Sequence, residues 1–157
     1  MRKLCILLII TTILASCNST KTDVKTNDTT DQYLVFGKFY GHCRGDCTTL
    51  YKLEGTQLFA DDLERFTDWD SLKFKSAALP NDRYQAAKSL LDAFPQELLN
   101  AEETIGCPDC ADQGGFAVEI RKEGKLHRWR IDTNRGDLPD YLKSYVDKID
   151  VIMEQSK

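Results

Sequence analysis

The chain lacks the signatures of the common catalytic sites: it has no phosphate-binding loop, no dinucleotide fingerprint, no zincin helix and no nucleophile elbow. Histidine is scarce, with only two in 157 residues, His42 and His127. A Cys/His catalytic pair would need one of them beside a free thiol. His127 falls on the apolar face of a predicted strand and reads as a packed side chain. A basic excess is also missing: 21 Lys+Arg against 25 Asp+Glu give a formal charge of −4. An acidic chain without a basic footprint excludes nucleic acid as a partner. Residues 125–130 (KLHRWR) mix basic and aromatic side chains, but with Glu119 predicted opposite Arg128 they read as a charge-paired sheet face. The aspartates at 61–62, 68, 70, 109 and 112 match no calcium loop and read as solvated turn residues. No internal repeat is present. After Ala15, no stretch is long and apolar enough to be a second membrane segment.

What is present begins at the N-terminus. Arg2 and Lys3 precede an apolar run from 4 to 15, broken only by Thr11 and Thr12, and the run ends in Leu14-Ala15-Ser16-Cys17. A basic start, about a dozen apolar residues and small residues before a cleavage point are the plan of a secretory signal. The Leu-Ala-Ser-Cys ending resembles the bacterial lipobox, in which the cysteine becomes the first mature residue and carries lipid. The expected organisation is a lipoprotein signal peptide (1–16), a lipidated N-terminus and tether (17–31) and a single domain (32–157). Cleavage removes two basic residues, which leaves 19 basic and 25 acidic side chains and a charge of about −6. Such a domain gains no attraction from phosphate headgroups, so the lipid on Cys17 would hold it to the membrane. Residues 18–31 (NSTKTDVKTNDTTD) contain Val24 as their sole large apolar residue. They cannot bury enough surface to offset ordering entropy, and predict a tether with a reach of roughly 20 Å. In enteric-type sorting an Asp after the lipidated cysteine retains a protein in the inner membrane. Asn18 stands there instead, which favours the outer membrane and leaves the side of exposure open.

The remainder predicts one α+β domain, a mainly antiparallel sheet with two helices packed on one face. Residues 33–40 (YLVFGKFY), rich in aromatic and β-branched side chains, predict a strand with Gly37 as a bulge. Residues 48–53 and 57–60 predict two more strands, joined around Glu54-Gly55-Thr56, and 70–77 a further one. Residues 81–94 predict a helix with Tyr84, Ala87, Leu90, Leu91 and Phe94 on one face, Asn81 as cap and Pro95 as stop. Residues 96–100 continue as a separate helical turn. Residues 115–122 and 125–132 flank the two-residue loop Glu123-Gly124 and predict a hairpin. Its register places Val118 opposite Trp129, Phe116 opposite Ile131, Ile120 opposite His127 and Glu119 opposite Arg128. Residues 138–154 predict an amphipathic helix that buries Leu142, Tyr145, Val146, Ile149 and Ile152 or Met153, with Asp137 as N-cap and Pro139 in the first turn.

With Cys5 in the signal and Cys17 lipidated, four cysteines remain: Cys43 and Cys47 in GHCRGDC, and Cys107 and Cys110 in GCPDC. An even set in an exported chain points first to structural disulfides, with three connectivities open. Bridges between the clusters would close loops of about 60 residues and remove roughly 4 kcal/mol of unfolded-state entropy, whereas bridges within each cluster would staple local turns and do less. Four thiolates from two short pairs also suit a tetrahedral zinc site, the one cofactor the residues admit. Cys107-Pro108-Asp109-Cys110 resembles a thiol–disulfide active site, although no helix follows it to lower a thiol pKa and Asp109 and Asp112 disfavour thiolate. Arg44-Gly45-Asp46 and Arg135-Gly136-Asp137 could face an integrin-like partner, but Gly-Asp is ordinary at turns and helix starts.

Three blocks carry a resemblance: G-x-C-x3-C-x3-Y at 41–51, GCPDCADQGG at 106–115 and WRID at 129–132. They resemble a family of small, uncharacterised lipoproteins from Bacteroidota-type bacteria. The resemblance implies an envelope address and an α+β fold, and no activity. Two functions stand as expectations. The first is a membrane-anchored, disulfide-stapled domain that binds an envelope protein or small ligand without catalysis. The second is a zinc or thiol-redox activity centred on Cys43, Cys47, Cys107 and Cys110.

Overall fold

A computed structural model describes residues 32–155, so the signal and Cys17 lie outside the described residues. Seven strands form one sheet: β1 (Tyr33–Phe39), β2 (Thr48–Glu54), β3 (Gln57–Asp61), β4 (Phe74–Ala78), β5 (Thr104–Ile105), β6 (Gly115–Lys122) and β7 (Lys125–Asp132). The helices are α1 (Asn81–Asp92) and α2 (Asp140–Gln155). The strand order is β4-β3-β2-β1-β6-β7-β5. Every pairing is antiparallel except β5 with β7, which is parallel. This is the expected α+β class.

The hairpin register is the one the alternation predicts, with Val118 opposite Trp129, Phe116 opposite Ile131, Ile120 opposite His127 and Glu119 opposite Arg128. Its turn residues Glu123 and Gly124 both have positive φ, 54° and 73°. That is the turn whose twist matches the strands. The apolar side of the sheet meets α1 and α2 in the main core, where Leu34, Phe36, Phe116 and Trp129 pack against Leu90, Leu142, Val146 and Ile149. In α2 both Ile152 and Met153 are buried.

The other face carries a second, smaller core. Val35, Phe39, Leu50 and Ala117 are covered by Phe66, with Trp69 and Leu72 packed beside it, all from the segment between β3 and β4. On the same face Glu119 is buried and doubly satisfied: Tyr33 Oη donates to it at 2.8 Å and Arg128 Nε at 2.7 Å. Burial, then the bond to Glu119, pushes the Tyr33 pKa up.

Four local expectations change. Gly37 is not a bulge, because the β1 register runs unbroken on both sides, Gly37 facing Leu50 and Ala117. Glycine is required for a different reason: at φ 151° a Cβ there would lie 2.1 Å from the Thr49 carbonyl oxygen. The register irregularity is instead between Phe59 and Asp61, where β3 meets β4. Asn81 is not a cap. The Pro80 carbonyl already accepts the Arg83 and Tyr84 N–H groups, which makes Asn81 the first helical residue. Asp137 does not cap α2 either. Pro139 holds the preceding Leu138 extended (ψ 145°), so Arg135–Asp137 forms its own 3-10 turn and the long helix starts at Asp140. The strand expected at 70–77 is β4, shifted to Phe74–Ala78 behind a 3-10 turn at Trp69–Ser71.

Candidate functional site

The two cysteine clusters, about 60 residues apart in sequence, meet at one end of the sheet. β1 ends at Phe39, which faces Thr48 at the start of β2 and Gly115 at the start of β6. Gly115 in turn faces Asp132 at the end of β7. The connections at 40–47 and 106–114 therefore project from the same edge. Each cysteine pair closes on itself: Cys43 is joined to Cys47 with Cα atoms 5.7 Å apart, and Cys107 to Cys110 at 5.5 Å. The connectivity is the local one of the three that were open.

The first loop is shut by Tyr40 N–H donating to the Cys47 carbonyl at 2.9 Å, and turns at Asp46, whose Oδ1 accepts from Thr48 N–H at 3.3 Å. The segment after β3 braces it from outside. Cys47 N–H donates to the Glu64 carbonyl at 2.8 Å, and the Arg65 guanidinium donates to the carbonyls of Gly41 and Cys43.

The second loop is organised by two aspartates. Asp109 N–H donates to the Gly114 carbonyl at 2.9 Å, and Gly114 N–H returns to Asp109 Oδ1 at 3.0 Å. Asp132 is buried at 2 % exposure and accepts from Cys107 N–H at 2.7 Å and Asn134 N–H at 2.9 Å. Burial pushes its pKa up, but the bonds from Asn134, Cys107, Gln113 and Thr133 more than offset this, and the carboxyl ionises below its ordinary value. Gln113 also donates to the Cys107 carbonyl at 2.8 Å.

The loops are tied to each other. Gly41 N–H donates to Asp109 Oδ2 at 2.9 Å, and a Cβ at Gly41 would sit 2.0 Å from that oxygen. The glycine before the first cysteine and the aspartate between the second pair are thus one contact. Exposed His42 and Asp112 lie 3.9 Å apart across the same junction.

Two hollows flank this end. A cleft of about 870 Å³ is lined by Asp46, Thr49, Tyr51, Asp61, Glu64 and Lys75 among others. Burial raises the Asp61 pKa there, although Leu50 and Leu63 N–H groups bond its carboxylate. A groove of about 340 Å³ runs beside the second disulfide, between Phe39, Thr104, Pro108 and Arg130. Arg130 is held by the Thr67 carbonyl at 3.1 Å and lies over the Phe66 and Phe39 rings.

Other predicted features fall elsewhere. His127 stacks on Trp129 with centroids 5.8 Å apart, within the helix-facing layer. Arg135 is committed to α2, bonding Asp147 at 2.8 Å and Asp150 at 2.6 Å, while Asp137 accepts from Asn134. The second Arg-Gly-Asp is therefore an internal tie. Asp68 caps the Trp69–Ser71 turn through Ser71 N–H at 2.8 Å. The tertiary roles of Arg65 and Asp132 were not read from sequence. The signal that could have revealed Asp132 is an acidic residue ending the strand row of Arg128 and Arg130 in WRID, on the face opposite Trp129 and Ile131.

No family model matches the chain, and a search of curated proteins finds no significant match. The class that the fold and site define is a seven-stranded α+β domain whose one sheet end is braced by two local disulfides.

Proposed function

We propose that this chain is a membrane-anchored bacterial lipoprotein, held by lipid on Cys17, whose non-catalytic domain presents the disulfide-braced sheet end to an envelope protein or small ligand. One observation carries the reading: the braced loops lie at the opposite end of β1 from Tyr33, where the chain arrives from residue 17. The loops between β2 and β3 and between β6 and β7 share the Tyr33 end, since Tyr33 faces Glu54 and Arg121. A tether at that end leaves Cys43–Cys47 and Cys107–Cys110 farthest from the anchor, across a seven-residue strand spanning roughly 20 Å. Rigid, pre-organised loops lose little entropy on binding, and two hollows border them.

Three measurements test the reading. Cys17→Ala should abolish the lipid mass increment and move the protein from the membrane to the soluble fraction. Photo-crosslinking side chains at Arg44 or Asp112 should give discrete adducts in cells, and those at Thr56 or Glu123 should not. Adducts from the second pair alone would reverse the orientation, and retention of the Cys17→Ala protein in membranes would remove the anchor. Intact mass and thiol titration of protein exported without chelator address the brace. Four blocked cysteines support it, whereas four free thiols with one bound zinc would replace it by a metal centre at Cys43, Cys47, Cys107 and Cys110.

A further inference from the structure

We propose that the two disulfides differ in role: Cys43–Cys47 is a permanent brace, and Cys107–Cys110 is a thiol–disulfide exchange site that accepts electrons from a dithiol-bearing partner. The proposal rests on the disulfide-braced reading above and not on the lipid anchor. The two rings are almost equal in size, with sequence separations of 4 and 3, so their surroundings distinguish them.

Access differs first. Cys47 is fully buried and Cys43 half-buried, whereas Cys107 and Cys110 are both exposed. Exchange needs a thiolate to reach a sulfur, so the first pair offers only the half-buried Cys43 without local opening, whereas the second offers both of its cysteines. The second ring is also not the sole staple of its loop. The 106–114 loop keeps its course through Asp132 on Cys107 N–H, Gln113 on the Cys107 carbonyl, and Asp109 with Gly114. Within the ring, Asp109 sits at φ 63°, a left-handed conformation that a non-glycine residue adopts at a cost. Its two carboxylate oxygens are taken by Gly114 and Gly41 N–H groups, which blunts the charge expected to oppose thiolate. Finally, the pair and Arg130 line the same groove, which puts a positive charge on the approach of a partner thiolate.

The step balances as follows. A partner thiolate attacks Cys107 Sγ, the Cys107–Cys110 bond breaks, and Cys110 leaves as thiolate and is protonated by solvent. The attack is assigned to Cys107 because its backbone N–H is taken by the Asp132 carboxylate and is not free to stabilise a thiolate on Cys107. The partner's second thiolate then attacks its own sulfur in the mixed disulfide and expels Cys107. The partner's two thiols become one disulfide, and Cys107 and Cys110 become two thiols.

The test uses the purified disulfide-bonded protein under anaerobic conditions with a reduced, unfolded test protein that carries two cysteines, followed by acid quench, alkylation and peptide mass mapping. Expected is labelling of Cys107 and Cys110 about 100-fold faster than of Cys43 and Cys47, with one disulfide gained by the test protein per pair reduced. The double variant Cys107→Ser, Cys110→Ser should keep the wild-type circular dichroism spectrum and lose the exchange. Arg130→Gln should slow it several-fold, and Arg130→Lys should restore most of the rate. Equal labelling rates, earlier labelling of Cys43 and Cys47, or no transfer to the test protein would overturn the proposal while leaving the braced reading intact. Free thiols at all four positions before the reaction would instead overturn that reading.

Discussion

Replacing Asp132 by Asn removes one negative charge from the buried junction of β7 with the second cysteine loop and changes little in volume. The carboxylate accepts Cys107 N–H at 2.7 Å and Asn134 N–H at 2.9 Å from a side chain that is 2 % exposed. Hydrogen bonds to charged groups contribute about 1.5–3 kcal/mol each. The amide keeps one acceptor oxygen and turns an NH2 toward the other donor, so one bond is lost and one buried N–H is left unpaired. The expected destabilisation at pH 7 is about 2–4 kcal/mol, or a fall in Tm of about 10 °C. The sign with pH follows from the depressed pKa. The folded carboxyl ionises below its ordinary 3.8, so its contribution is fully present above about pH 4 and disappears as pH falls through the folded value. Urea denaturation with disulfides intact, from pH 7 down to pH 2, should show a gap between wild type and Asp132→Asn that is constant to about pH 4 and narrows below it. A gap below ~0.5 kcal/mol at pH 7, or one as wide at pH 2 as at pH 7, would refute the reasoning.

Three further substitutions probe the frame. Trp129→Ala empties a site that is 2 % exposed between Phe94 and His127 and should cost about 3–5 kcal/mol in urea denaturation; a loss under ~1 kcal/mol would mean that the ring does not support the core. Tyr145→Phe removes a hydroxyl buried without a hydrogen-bond partner, and should raise stability by about 1 kcal/mol. A comparable loss in thermal denaturation would show that the hydroxyl is satisfied in solution. Gly37→Ala drives a methyl against the Thr49 carbonyl oxygen at 2.1 Å and should cost about 3 kcal/mol or more, read as reduced soluble yield and a lower urea midpoint. A midpoint within experimental error of wild type would contradict the close approach of β1 and β2.

Local chemistry made much of the sheet legible. Alternation and the Glu123-Gly124 turn specify the hairpin and its register because a one-residue slip would bury Glu119's row on the helix side and expose Trp129's. The 3.6-residue period specifies the buried stripe of α2. What escaped the sequence has a common cause, competition from a neighbour. Pro139 overrides Asp137 as a cap, and the Pro80 carbonyl displaces Asn81. β5 is two residues long and exists only because β7 offers it a free edge, while the second core depends on Phe66 and Trp69 folding back from a polar segment.

The sequence by itself determined the α+β class, the central hairpin, the helix faces and the two close cysteine pairs, since each rests on periodicity or spacing within a few neighbouring residues. Only the tertiary structure decided that each cysteine pair closes on itself and that the two loops meet through Gly41 and Asp109. Three connectivities share one sequence, and spacing does not choose among them. The pairing of β1 with both β2 and β6 brings the two loops to one sheet end, and the course of each loop there holds its own two cysteine Cα atoms 5.7 Å and 5.5 Å apart, within reach of a local bridge.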